Sequence, residues 1–370
     1  MTDELKQVPQ GRVVSIDALR GFDMFWIIGG AGIFRALIEF ADIPWLAPLA
    51  GQLHHTSWHG FTFYDLIFPL FLFIMGVSMP FAISRRLQRG DNRGQLYSHI
   101  IQRFLTLLFL GFIYNNLLDF DFSHMRYTGV LHRITFCYLF AALIVMNCGV
   151  RAQLIWAGAI LLVHWAAMSL VPVPGFGAGV LTPEGNLAGY IDRLFLPGSF
   201  CCYQFGDNEG ILTTIPAVAT SLIGVMAGHW LRTERGGREK AFGLMAAGAV
   251  LLVVSLLWNL VFPINKLLWT SSYVLHAGGW SLLLLAAFYW IIDVKGYKAW
   301  TLFFVVIGLN PITIYVLQSQ FDFGIISDIF TRGFIGYLGS FGPVLDSIGY
   351  LAAGWLLLYF LYKKKIFLKA

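Results

Sequence analysis

Ten stretches of roughly twenty mostly apolar residues follow one another along this chain, at about 19–40, 62–84, 99–118, 129–147, 151–171, 211–231, 241–262, 269–292, 300–318 and 343–362. About 20 residues of helix cross the ~30 Å hydrocarbon core of a bilayer, and a helix satisfies its own backbone groups there. Such a chain is expected to fold as an all-α bundle of about ten transmembrane helices, a polytopic membrane protein. Composition agrees: 58% of the residues are apolar and 12% are charged, too little charge to clothe a soluble domain of 370 residues. These figures exclude an ordinary soluble enzyme and, despite a net charge of +5, a nucleic-acid-binding protein.

The charges between the spans alternate from one side to the other. One side holds Arg85, Arg86, Arg89 and Arg93, then Arg151, then the cluster from Arg232 to Lys240, then Lys295 and Lys298, and finally Lys363–Lys365 and Lys369. With Lys6, Arg12, Arg20 and Arg103 it carries 19 of the 25 basic residues. The positive-inside rule makes this side cytoplasmic. An even number of spans then puts both termini there, with residues 1–18 as a cytoplasmic tail that lacks a signal-peptide pattern. The connections 41–61, 119–128, 172–210, 263–268 and 319–342 fall on the opposite side. No linker marks a second domain, so 1–370 reads as one transmembrane domain with a long outer loop at 172–210.

The chemistry-bearing residues cluster at few places. Leu53-His54-His55-Thr56-Ser57-Trp58-His59-Gly60 puts three of nine histidines within six positions, just before a span that opens with Asp65. Imidazole is suited to proton transfer near neutral pH. The alternative is a plain polar loop at the interface. His55 and His59 have the four-residue spacing of a helical metal pair, but no carboxylate or cysteine cluster accompanies them, so no metal is expected. Asp65 is either a cavity-facing carboxylate or a helix cap. His132 and Arg133 interrupt an apolar span, where Arg133 either meets a ligand or snorkels to the surface. Gly308-Leu309-Asn310-Pro311 predicts a break in the middle of a span, either at a ligand site or as a kink mended by Asn310. Adjacent Cys201 and Cys202 lie in the long loop; a vicinal disulfide is strained and none is expected. Soluble catalytic motifs such as GxSxG, HExxH and the P-loop are absent.

Taken in order, several blocks resemble the heparan-α-glucosaminide N-acetyltransferases and their bacterial NagX-like relatives within the wider transmembrane acyltransferase group. The blocks are Ser15–Gly21, Trp58 through Asp65 to Gly76, Gly129–Arg133, Asp207–Gly224, Asn265–Tyr273, Asp293–Gly296 and Gly308–Tyr315. The resemblance implies a homodimer that transfers acetyl from cytosolic acetyl-coenzyme A to an amino sugar on the far side of a bacterial inner membrane, with no metal. It also implies that His55, in His-x-Ser-Trp-x-Gly, is the active-site histidine. Two positions depart from the pattern. Ala31 stands where relatives carry a polar residue that assists the histidine, which leaves Asp65 or His54 for that task. His132 replaces the usual Gln before Arg133.

On this reading His55 is base or nucleophile and Asp65 its catalytic companion. Arg20 and Arg103 are candidates for the cofactor's phosphates, with an ordinary positive-inside flank as the alternative for both. Arg133 and Asn310 are candidates for its thin arm, and Trp58, Glu209 and Lys266 for the sugar. A transporter for amino sugars or N-acetylglucosamine is the competing reading, since broken helices and buried polar groups suit it as well. O-acetylation of an envelope glycan is a third.

Overall fold

The computed structural model describes residues 13–367. Of the tail expected at 1–18, Met1–Arg12 lies outside the described residues, as does Lys369, whereas Val14–Ala18 is buried and opens the first helix.

In chain order the helices are α1 Val14–Ala41, α2 Ala47–Gln52, α3 Phe63–Gln88, α4 Arg93–Tyr114, α5 Val130–Asn147, α6 Val150–Leu170 and α7 Leu187–Phe195. A two-stranded hairpin follows, β1 Cys202–Tyr203 against β2 Gly206–Asp207. Then come α8 Ile211–Leu231, α9 Gly237–Asn259, α10 Ser271–Val294, α11 Thr301–Leu309, α12 Pro311–Gln320, α13 Phe323–Ile335 and α14 Gly339–Lys363. Among the described residues nine helices are long and apolar enough to cross a membrane. The pair α11 and α12, bent by 70° at Asn310, makes a tenth only if the two count as one broken span rather than a re-entrant loop. Pro311 cannot continue the ladder of α11, and the chain restarts with proline at the first position of α12, where its missing N–H costs nothing. The stretches read as connections are more ordered than expected, since 41–61, 172–210 and 319–342 contain α2, α7 and α13.

The chain divides into two compact units. The first comprises Met1–His55, Thr62–Ile67 and Ala287–Ala370, the second Thr56–Phe61 and Phe68–Ala286.

In the first unit α1 packs along α11, and α13 along α14. Helix α1 meets α11 through small residues: a Cβ on Gly21 would overlap the Phe304 carbonyl, and one on Gly308 the Asp17 carbonyl. In lipid, where apolar burial drives little association, such close approach lets dispersion contacts accumulate. The start of α1 is tied to α10 by the Ser15 amide, which donates to Asp293 Oδ2 at 3.1 Å. Midway, α1 widens to a π-turn over Trp26–Gly30 with Gly29 at φ 136°. The carbonyl of Ile28 there accepts from Gln318 Nε2 of α12 at 3.2 Å.

In the second unit α8 is the hub, packed against α5 and α6. It also crosses α3 at reciprocal glycines: a Cβ on Gly76 would overlap the Ser221 carbonyl, and one on Gly224 the Phe73 carbonyl. Helices α6 and α9 turn apolar side chains outward, among them Ile155, Val163, Val253 and Leu257. That is the outer surface a lipid-facing helix requires, because hydrocarbon is as good a solvent for these chains as a core.

Candidate functional site

In the first unit the entry into α3 brings two of the anticipated catalytic residues together. The loop before α3 ends in Thr62-Phe63-Tyr64-Asp65, and Asp65 Oδ2 accepts from the Thr62 amide at 3.2 Å. This return bond from the third helical position is half of a capping box. The Thr62 hydroxyl lies 3.1 Å from the same oxygen and 2.6 Å from the His54 carbonyl. Asp65 Oδ1 points the other way and lies 2.8 Å from His55 Nδ1. The carboxylate is fully buried, whereas the imidazole is half exposed. Asp65 therefore caps α3 through Oδ2 and contacts the His55 ring through Oδ1. A carboxylate on Nδ1 holds the proton there and leaves the lone pair on Nε2, the tautomer a general base or a nucleophile needs. The ring also lies against Tyr64, 4.8 Å between centroids. Of the two residues left to assist the histidine, Asp65 is in contact with the ring, while His54 contributes its carbonyl to the Thr62 hydroxyl.

Arg20 and Asn310 belong to this unit too. Arg20 Nη1 donates to Asp17 Oδ1 at 3.3 Å and to the Gly308 carbonyl at 3.4 Å. Asn310 is fully buried at the break, and its Nδ2 donates to the Ile366 carbonyl at 3.1 Å. It thus ties the tail of α14 to the bend.

The second unit gathers the remaining candidates. Trp58 Nε1 donates to the Leu181 carbonyl at 2.8 Å, and its ring lies edge-on to Tyr203, 5.3 Å away. The Gly60 amide donates to the Ile264 carbonyl at 2.9 Å, and Asn265 Nδ2 to His59 Nδ1 at 3.3 Å. Burial holds His59 below the usual imidazole range. Lys266 is buried in the tight turn after it, where Asn265 Oδ1 caps the Leu268 amide at 2.9 Å.

Sequence reasoning did not anticipate what engages Glu209. Arg126 donates Nε to Asp207 Oδ2 at 2.7 Å and Nη2 to Asp207 Oδ1 at 2.5 Å, and Nη2 also meets Glu209 Oε2. Burial alone would raise Asp207, but the hydrogen bonds and charge of Arg126 outweigh it and hold the carboxyl below its ordinary range. Asp192, fully buried on α7, accepts from the Asp207 amide at 3.1 Å and the Ile211 amide at 3.0 Å. Burial pushes its carboxyl up to about 6, against the pull of those two amides. The sequence signal was an arginine outside the set expected to be cytoplasmic, opposite a lone acidic cluster, but 81 residues separate the partners. The hairpin beside them also carries a correction. Cys201 and Cys202 are disulfide-bonded, with Cys202 in the left-handed region at φ 79° and the Cys201 amide donating to Asp207 Oδ2 at 3.0 Å.

Arg133 is 1% exposed. Its Nη2 donates to the Asn208 carbonyl at 2.5 Å and to the Thr213 hydroxyl. Its guanidinium stands 4.5 Å from the centroid of the Trp269 ring. Snorkelling, the bland alternative, is not what it does. Nε and Nη1 have no hydrogen-bond partner among the described residues. Arg103, expected at a charged flank, lies on α4 with its guanidinium 4.5 Å from the Tyr138 ring centroid and Nε without a partner. Buried guanidinium nitrogens left open are donors that a phosphate- and carbonyl-rich ligand satisfies, so these two residues fit a nucleotide-bearing acyl carrier.

Comparison with known proteins gives the family. The family model for "Heparan-alpha-glucosaminide N-acetyltransferase, catalytic" matches residues 12–258, more than half of the chain. The heparan-alpha-glucosaminide N-acetyltransferase of Mus musculus is 30% identical over 420 aligned positions, which cover 98% of this chain and 62% of the mouse protein. That of Homo sapiens is 30% identical over 366 positions, covering 84% of this chain and 53% of its own length. The chain therefore spans about half to three fifths of these relatives. One family model takes in the His55–Asp65 corner as well as Arg126, Arg133 and the acidic residues of the long loop, and the chain belongs to the heparan-alpha-glucosaminide N-acetyltransferase catalytic family.

Proposed function

We propose that this protein is a membrane acetyltransferase that moves the acetyl group of acetyl-coenzyme A to the amine of a glucosamine-type sugar. The observation that carries this reading is the 2.8 Å contact between His55 Nδ1 and the buried Asp65. It is the base-and-orienter arrangement that acyl transfer uses. Acetyl-coenzyme A supplies an activated acyl carbon. His55 Nε2 takes the amine proton as the sugar nitrogen attacks that carbon, the C–S bond breaks, and the departing coenzyme A thiolate receives the proton; alternatively His55 attacks first, expels the coenzyme A thiolate, and then passes the acetyl group to the amine. Asp65 fixes the tautomer and stabilises the imidazolium that forms. Arg20, Arg133 and Arg103 offer cationic donors for the carrier's phosphates and carbonyls. Trp58, with Lys266 and the Glu209 region of the long loop, offers the aromatic and polar groups that sugars favour. The same reading puts both termini in the cytoplasm, the sugar on the periplasmic side of a bacterial inner membrane, and two copies in the working assembly.

The test is acetyl transfer by purified protein in detergent, with labelled acetyl-coenzyme A, with and without glucosamine. Acetylated sugar from the wild type and none from His55→Ala supports the reading. Substrate flux across vesicles without any acetyl donor, retained in His55→Ala, overturns it in favour of a carrier, the alternative that the 70° break at Asn310 favours. Label retained on wild-type protein when glucosamine is omitted selects the acetyl-histidine route.

A further inference from the structure

The first span carries a second polar constellation that the reaction as described does not use. Asp23 is fully buried in α1, and neither carboxylate oxygen has a hydrogen-bond partner among the described residues. A carboxyl group so placed is costly in a membrane protein and marks a functional position by default. One turn on, at the i,i+3 position that shares its face, Trp26 also has a buried indole N–H without a partner among the described residues. The Trp26 ring is fixed by Phe63 and Phe34, with centroids at 4.9 and 5.2 Å. The helix departs from α geometry here, since the π-turn begins at Trp26 and Gly29 sits at φ 136°. Such π-bulges concentrate at functional sites.

The two orphaned groups are one acceptor and one donor, a turn apart. A secondary amide offers the matching pair, an N–H for Asp23 and a C=O for Trp26. We propose that Asp23 and Trp26 bind a secondary amide in the pantetheine arm of the acyl donor and so set its depth. This rests on the acetyl-coenzyme A reading above. Order along the first unit supports the assignment. Arg20 lies one turn before Asp23 on α1. Trp26 contacts Phe63, the first residue of α3, two positions before Asp65, which holds His55. A molecule with anionic phosphates at one end and the reacting acyl group at the other carries its amides between them. An N-acetylated sugar product also contains a secondary amide, but that amide forms at His55 rather than a turn beyond Trp26.

The test compares two short acetyl donors that differ at one atom: S-acetyl-N-acetylcysteamine, and the oxygen ester in which the amide N–H is replaced by O. Wild-type protein uses the amide donor about tenfold better, through KM. Asp23→Leu removes that preference, while Asp23→Asn, which keeps an acceptor oxygen, retains most of it. Trp26→Phe weakens both donors alike. Coenzyme A binding, measured by calorimetry without turnover, weakens about tenfold in Asp23→Leu. Should Asp23→Leu not yield folded protein, Trp26→Phe and the wild-type amide-to-ester ratio carry the decision. A ratio near one in the wild type, or one unchanged by Asp23→Leu, overturns the proposal. So does inhibition by N-acetylglucosamine that Asp23→Leu abolishes while donor preference stays intact, since the pair then reads the product. If the wild type transfers acetyl from no donor and does not bind coenzyme A, the acetyltransferase reading itself has failed.

Discussion

Asp65 divides its carboxylate between two tasks, with Oδ1 2.8 Å from His55 Nδ1 and Oδ2 3.2 Å from the Thr62 amide that opens α3. Replacing Asp65 with Asn preserves size and most of the cap but presents an amide to Nδ1, which favours the wrong tautomer. Acetyl transfer is expected to fall by about 10²–10⁴-fold with little change in donor KM. Thr62→Val loses the hydroxyl contacts but keeps the backbone bond, so it lowers the melting midpoint while leaving most of the rate. Steady-state kinetics and thermal unfolding on the two variants separate these effects.

Arg126 is the clasp of the long 172–210 loop. Arg126→Met leaves Asp207 and Glu209 buried without their cation, and a loss of about 3 kcal/mol is expected. The 172–210 segment becomes the first site of proteolytic cleavage in detergent. Pairing it with Asp207→Leu removes one stranded charge and restores part of the loss. Asp207 is held below the ordinary carboxylate range, so the clasp's contribution is present at neutral pH and is lost as pH falls below about 4, through the lowered value.

Asp192 acts in the opposite direction. Its carboxyl is raised to about 6, so the folded state keeps a proton that the unfolded chain gives up near 4. Its contribution is full below the unfolded value and declines as pH rises towards the folded one, by about 3 kcal/mol in all. Melting midpoints measured from pH 4 to pH 7 are expected to carry this falling component. Asp192→Asn does not titrate and lacks it, although its baseline is lower because an amide cannot accept from both the Asp207 and Ile211 N–H groups.

The crossing of α3 and α8 allows no side chain at its centre. Gly224→Val is expected to cost about 3 kcal/mol or more, since its Cβ would overlap the Phe73 carbonyl and neither backbone can yield alone. Gly158→Ala, on the exposed side of α6 where a Cβ meets nothing within 4 Å, is the control and does not lower the midpoint. Size-exclusion profiles and thermal unfolding report both.

The spans were legible in the sequence because hydrocarbon leaves the chain few choices, and the Pro311 break was legible because proline lacks the N–H that a helix needs there. The meeting of His55 and Asp65 was within reach, since ten residues and one helix start separate them. Arg126 with Asp207 was not, because nothing local pairs residues 81 apart. The short helices α7 and α13 were missed because their existence depends on what they pack against. Their caps were there to be read in Asn186 and Asp322, whose side chains accept from the Gly189 and Gly324 amides. Asp23 shows in the sequence only as a carboxylate within an apolar span, and its lack of a hydrogen-bond partner among the described residues becomes visible only in three dimensions.

The double duty of Asp65 has a consequence for anyone breeding this protein in the laboratory. A selection for heat resistance acts on the helix start, and a selection for turnover acts on the histidine, but both select on the same carboxylate. That makes Asp65 a poor position for a library, and Thr62, whose hydroxyl meets Asp65 Oδ2 and the His54 carbonyl rather than the His55 ring, a better one.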